Sequence, residues 1–156
     1  PRDEAGQRII QAVVQAGLAL GSRVRVGFLA NYTMWTGHLL TSGVDVWLNN
    51  PRRPHEASGT SGMKASLNGV PNASIADGWW AEGAKDGTNG WEIGGTDGDN
   101  DDDDADSLYR TLEERIVPSY YERQSEWVGM MKQAIATGAF FTGTRMIREY
   151  RERYYG

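Results

Sequence analysis

Apolar and polar positions along the chain fall into two periods. In EAGQRIIQAVVQAGLAL, residues 4–20, Ile9, Ile10, Val13, Val14, Gly17 and Leu20 recur at helical spacing, and Gly21-Ser22 stop that helix. The period then changes to two: Val24, Val26 and Phe28 alternate with Arg23, Arg25 and Gly27, predicting a strand over about 24–29. Residues 33–42 predict a short helix ending at Gly43, VDVWL (44–48) a second strand, and NNPRRP a loop. A helix from about Ser61 to Leu67 and a third strand at NASIA, 72–76, follow, while the Gly- and Trp-rich residues 77–95 read as loop. From Asp106 three stretches, SLYRTLEERIV, SEWVGMMKQAIATGA and TRMIREYRERYY, are amphipathic. Leu108, Leu112 and Ile116, then Trp127, Met130, Met131 and Ile135, mark faces predicted to cover a sheet.

Helices alternating with strands over short connections place the chain in the α/β class, with parallel strands and covering helices. Ligands of such sheets sit at the carboxyl ends of the strands. The loop after VDVWL, which contains residues 55–64, is therefore the predicted site.

Composition narrows the partners. The 156 residues are 39% hydrophobic, enough for a core, and the net charge of −5 argues against nucleic acid or an anionic membrane as partner. No apolar run approaches the roughly 20 residues of a membrane span. With no cysteine there is neither a disulfide framework nor thiolate chemistry, which fits a cytoplasmic protein. Two histidines and no cysteine lead us to expect no metal site. The polar start shows no signal peptide, and the missing initiator Met predicts that the chain is a piece of something longer. The run DGDNDDDDAD, 97–106, reads as an acidic surface linker: a calcium loop would need Gly where Asp102 stands and Glu where Leu108 stands.

The chemistry concentrates in HEASGTSGMKASLNG, residues 55–69. With Thr60 as N-cap, the amides of Ser61, Gly62 and Met63 would form an anion site at the positive end of a helix dipole. Gly59 and Gly62 would allow close backbone approach. A Walker A loop is excluded, because Met63 separates Gly62 from Lys64 and Ala65 stands at the Ser/Thr position. Lys64 lies four residues after Thr60, on one face with it. A first-turn, buried lysine would favour the neutral amine, and an amine beside a phosphate site suits a Schiff base with a phosphorylated aldehyde. Spacing alone favours an ordinary exposed helical lysine in a tight turn.

EASGTSGMKASLNG resembles the pyridoxal-phosphate segment of the glycogen and α-glucan phosphorylases, and VDVWLNNPRRPHEASGTSGMKASLNGVPNASIADGWWAEG with NGWEIGG resembles their bacterial and archaeal branch. The likeness extends through VRVGFLANY, VPSYYER and MIREYRERYY, nearly the whole chain. It implies part of the Rossmann-like C-terminal domain of a two-domain, GT-B type glycosyltransferase. It implies pyridoxal 5'-phosphate on Lys64, its phosphate held by Thr60, Ser61 and Gly62, with Asn31 and Tyr32 nearby. Glu56, Ser58 and Gly59 would contact the transferred glucosyl unit, so Lys64 and Glu56 form the implied catalytic set. The implied reaction cleaves α-1,4-glucan with inorganic phosphate to glucose 1-phosphate, with retention. Two features depart from the family: Ala30 stands where many members have Glu before the Asn-Tyr pair, and the acidic run at 101–104 looks like an insertion.

The likeness covers only the last part of such an enzyme. The missing N-terminal portion becomes an expected partner, oligomers are compatible, and the isolated chain is expected to be inactive with an exposed sheet edge. Two other readings are a non-catalytic phosphate- or sugar-binding module, and a nucleotide-sugar glucosyltransferase of related fold that would not need Lys64. Of the remaining residues, His38 reads as surface and His55 as a hydrogen-bonded loop residue within reach of a sugar site. Arg52 and Arg53 bracket the loop, and Asp77, following a predicted strand, either lines the cleft or holds the Asp77-Gly78 turn. Trp79, Trp80 and Trp91 either stack on sugars or pack the Gly-rich loops onto the sheet.

Overall fold

A computed structural model describes residues 3–94 and 100–156. The chain divides into two compact units, Pro1–Gly37 and His38–Gly156.

The first unit contains α1 (Glu4–Leu20), capped by the Asp3 carboxylate accepting from the Gly6 amide at 2.8 Å, and a single 3-10 turn at Gly21–Arg23. The helix matches the periodic pattern and stops at Gly21, φ +57. The strand expected over 24–29 does not form. Val24 is extended, but a strand exists only by pairing, and no partner strand meets this segment among the described residues. Instead Val26 lies over Gly17, where an added Cβ would stand 2.8 Å from the valine Cβ. α2 (Met34–Gly43) follows, as the 33–42 pattern predicts.

The second unit is built on a parallel three-stranded sheet in the order β1-β2-β3: β1 (Trp47–Asn49), β2 (Asn72–Ile75) and β3 (Gly90–Ile93). Trp47 pairs with Asn72 and Asn49 with Ser74, while Ala73 pairs with Trp91. β1 starts three residues later than the apolar run VDVWL. α3 (Thr60–Leu67) connects β1 to β2 and buries Gly62, Ala65 and Ser66. The expectation of loop throughout 77–95 is corrected. The short α4 (Trp80–Gly83) and β3 both lie in this range, because Trp80 and Trp91 are almost wholly buried and draw their backbones into the core.

The acidic run is also corrected where it is described, residues 97–99 lying outside the described residues. α5 (Asp101–Thr111) starts five residues earlier than expected, so Asp101 to Asp106 are helical rather than linker. Asn100 caps it by accepting from the Asp102 amide at 3.1 Å, and four aspartates occupy its first turn, where the helix dipole favours negative charge. A π-turn at Leu112–Ile116 leads to α6 (Val117–Glu122) and α7 (Gln124–Phe140).

These helices cover the sheet as the amphipathic spacing predicts. Ala73 and Trp91 from the strands meet Ile116, Trp127 and Met130, with Val46, Leu112, Tyr120 and Met131 around them. The rings of Trp91 and Trp127 lie 5.8 Å apart, and Tyr120 meets Trp127 edge-on at 4.9 Å. α7 also packs on α3. The last stretch differs from expectation: α8 (Gly143–Tyr150) and the π-turn Arg151–Tyr155 bury no residue, so they do not cover the sheet. Among the described residues, no helix is long and apolar enough to cross a membrane.

Candidate functional site

The carboxyl ends of β1 and β2 carry the loop that the sequence singles out. Asn49 ends β1, and its side-chain amide donates to Glu56 Oε2 at 3.3 Å. Beyond β2 the chain turns where the Asp77 amide donates to the Ile75 carbonyl at 2.9 Å. The Asp77 carboxylate accepts the Glu56 amide on Oδ2 at 2.9 Å and the Gly78 amide on Oδ1 at 2.8 Å. The Trp79 amide then donates to the Ser58 carbonyl at 2.9 Å. Loop 50–59 is thus fastened to the loop after β2 by backbone-directed bonds. Gly78 makes the contact possible: φ is +54, and a Cβ there would stand 2.7 Å from the Ser58 carbonyl oxygen.

The helix start departs from expectation by one residue. Gly59, not Thr60, is the N-cap, in the left-handed conformation at φ +82, and no side chain caps the helix. The amides of Gly62 and Met63, expected to be free, donate to the Gly59 carbonyl at 3.1 and 3.4 Å. The amides at the start of α3 not used in this way are those of Thr60 and Ser61. Gly62 is buried for packing: a Cβ there would clash with Asn72 Oδ1 and stand 2.9 Å from Trp79 Nε1.

Lys64 differs from expectation too. It occupies the last turn of α3 and is exposed, so the first-turn and burial arguments for its amine do not hold. What the structure retains is the pairing with Thr60. Both are exposed on the side of α3 opposite Gly62, Ala65 and Ser66. An amine and a hydroxyl one turn apart, next to uncapped amides, form a donor set suited to a ligand with an electrophilic carbon and an anionic group.

Glu56, Ser58, Gly59 and Ser61 are half-buried around this helix start. Asn31 (φ +55) and Tyr32 belong to the first unit, and the Tyr32 hydroxyl lies against Gly37. His38 and His55 are exposed. The His55 amide closes a turn on the Arg52 carbonyl at 2.8 Å, and the Arg52 guanidinium pairs with Asp101, bracketing the loop as the sequence suggests. Trp79, Trp80 and Trp91 are all buried, which decides for packing over sugar stacking. Sequence reasoning passed over Asn49 and left Asp77 between lining the cleft and holding its turn. Their positions at or just beyond the ends of adjacent parallel strands were the signal available.

No family model matches the chain. Among curated proteins it is 47% identical to the maltodextrin phosphorylase of Thermococcus litoralis over a 162-residue alignment, covering 99% of this chain and 19% of that protein. It is 46% identical to the glycogen phosphorylase of Mycobacterium tuberculosis, again covering 99% of this chain and 19% of the relative. With the glycogen phosphorylase of Aquifex aeolicus the identity is 42%, over 99% of this chain and 23% of the relative. The chain therefore spans about a fifth of the length of these relatives. Identity of this order, over nearly the whole of this chain, makes it a member of the glycogen and maltodextrin phosphorylase family, corresponding to one segment of it.

Proposed function

We propose that the chain is the cofactor-bearing part of the Rossmann-like C-terminal domain of a two-domain α-1,4-glucan phosphorylase, and that it holds pyridoxal 5'-phosphate through Lys64. The observation that carries this reading is the exposed pairing of Lys64 with Thr60 on α3, whose N-terminus no side chain caps. That donor set fits a phosphorylated aldehyde. Lys64 would anchor the aldehyde end, while the Thr60 hydroxyl and the Thr60 and Ser61 amides would receive the phosphate. The part of Gly62 is steric: it lets α3 lie against Asn72 and Trp79, and so sets where those donors stand. For Asn31 and Tyr32, which belong to the first unit, a cofactor role rests on the family resemblance alone. When bound, the cofactor supplies a phosphate that relays a proton beside the substrate phosphate.

Glu56, Ser58 and Gly59 are assigned to the glucosyl unit. A carboxylate suits sugar hydroxyls as acceptor, and a negative charge near the ring favours the oxocarbenium-like transition state of glycosyl transfer. The substrates are α-1,4-glucan and inorganic phosphate, and the product is glucose 1-phosphate with retained configuration. The remainder of the enzyme supplies the other wall of the cleft and the cations for substrate phosphate. The 156 residues alone are accordingly inactive, and the parent is a cytoplasmic enzyme.

Borohydride reduction of the full-length enzyme after incubation with pyridoxal phosphate tests the assignment. One pyridoxyl adduct is expected, in the peptide containing Lys64. An adduct on another lysine, or none, overturns it. Formation of glucose 1-phosphate by the isolated chain would overturn its expected inactivity.

A further inference from the structure

We infer that Asn49 and Asp77 are positioning residues that hold Glu56 at its side chain and at its backbone, and so set its carboxylate for a glucosyl hydroxyl. The inference rests on the proposed reading that Glu56 contacts the sugar.

Glu56 sits in a loop with no regular structure of its own, where a free glutamate side chain would sample many rotamers. Two strands limit it. Asn49, the last residue of β1, lies opposite Ser74 of β2 in the parallel register, and Asp77 follows β2 by two residues. Asn49 Nδ2 reaches Glu56 Oε2 at 3.3 Å, and Asp77 Oδ2 accepts the Glu56 amide at 2.9 Å. Asp77 is itself fixed, since its other oxygen takes the Gly78 amide at 2.8 Å and its own amide is bound to the Ile75 carbonyl at 2.9 Å. A carboxylate accepting two backbone amides makes charge-assisted bonds, stronger than neutral ones. The Trp79 amide on the Ser58 carbonyl at 2.9 Å prevents the loop from pivoting about the Asp77 contact. Glu56 is thus anchored from the ends of two hydrogen-bonded strands, with Oε2 engaged and Oε1 left to accept from a ligand. Such support on rigid elements preorganises a binding group.

The test is a mutant cycle in the full-length enzyme, read as kcat/KM for glucose 1-phosphate and KM for inorganic phosphate. N49A is expected to lower kcat/KM for the sugar phosphate about tenfold, the scale of one hydrogen bond, with KM for inorganic phosphate unchanged. Placed in an E56A background, which removes the acceptor, N49A is expected to have no further effect, because it acts through Glu56. D77A should show the same coupling, and D77N, which keeps one acceptor, should fall between wild type and D77A. Thermal denaturation of each variant separates loss of fold from loss of positioning, and N49A removes no backbone contact. A tenfold loss from N49A repeated in full on top of E56A would overturn the inference, as would an N49A enzyme with unchanged kcat/KM. An E56A enzyme with wild-type kcat/KM would instead remove Glu56 from the sugar site, and the functional reading with it.

Discussion

The side-chain amide of Asn72 donates to the Gly62 carbonyl at 3.2 Å across the buried seam between β2 and α3. The same amide group reaches Ser66 Oγ at 3.0 Å. A strand residue thereby holds the helix that presents Thr60 and Lys64, and it can do so only because position 62 has no side chain.

The first prediction concerns that seam. G62A brings a methyl against Asn72 and within 2.9 Å of Trp79 Nε1, both belonging to residues that are at most 5% exposed and cannot swing away. Alanine gains up to about 1 kcal/mol in helix propensity, but overpacking a filled core costs about 1–3 kcal/mol. Net destabilisation is expected in urea denaturation. An unchanged midpoint would mean that α3 is free to shift.

Asn89 makes a second test. It is fully buried, donates to the Gly83 carbonyl at 2.8 Å and to Thr137 Oγ1 at 2.7 Å, and accepts the Lys85 amide at 2.8 Å. N89A strands those groups and is expected to cost at least about 2 kcal/mol in the same measurement. A Thr137→Val change loses one of those bonds together with the hydroxyl's own bond to the Gln133 carbonyl, leaves the other two Asn89 bonds in place, and should cost less.

The Asp86–Arg115 pair separates exposed charge from backbone bonding. One guanidinium nitrogen stands 2.9 Å from both carboxylate oxygens, yet the side chains are 45% and 37% exposed, so R115A should cost less than about 1 kcal/mol and less still at high salt. Asp86 also accepts the Glu92 amide of β3 at 3.0 Å. D86A should therefore be the more destabilising by about 0.5–1.5 kcal/mol. Equal effects would show that the β3 contact contributes nothing.

Lys64 is exposed while α3 packs through Gly62, Ala65 and Ser66. K64A is therefore expected to keep stability within about 0.5 kcal/mol while losing borohydride-trapped cofactor and turnover in the full-length enzyme. Normal turnover in a folded K64A enzyme would contradict the cofactor assignment.

Much of this was legible in the chain itself. The spacing of Ile9, Val13 and Gly17 defines α1, the run from Asn72 defines β2, and Trp127 with Met130 marks the face of α7 that meets the sheet. These are local periodicities of helix and strand, and local chemistry suffices to read them. The stretch from Glu56 to Lys64, with its carboxylate, glycines, hydroxyls and amine, likewise pointed to a loop running into a helix.

Other features depend on partners distant in sequence. The alternation of Val24, Val26 and Phe28 has the strand period but, among the described residues, no neighbouring strand to pair with, whereas Gly90–Ile93 carries no clear signal yet becomes β3 because β2 is there to receive it. Gly62 looked like part of an anion cradle and proved to be the contact point for Asn72 and Trp79. The sequence by itself determined which residues could carry chemistry and which helices would form, since those follow from side-chain type and nearest-neighbour spacing. Only the tertiary structure decided which of them meet, because a hydrogen bond such as that from Glu56 to Asp77, 21 residues apart, exists only once β1 and β2 lie side by side.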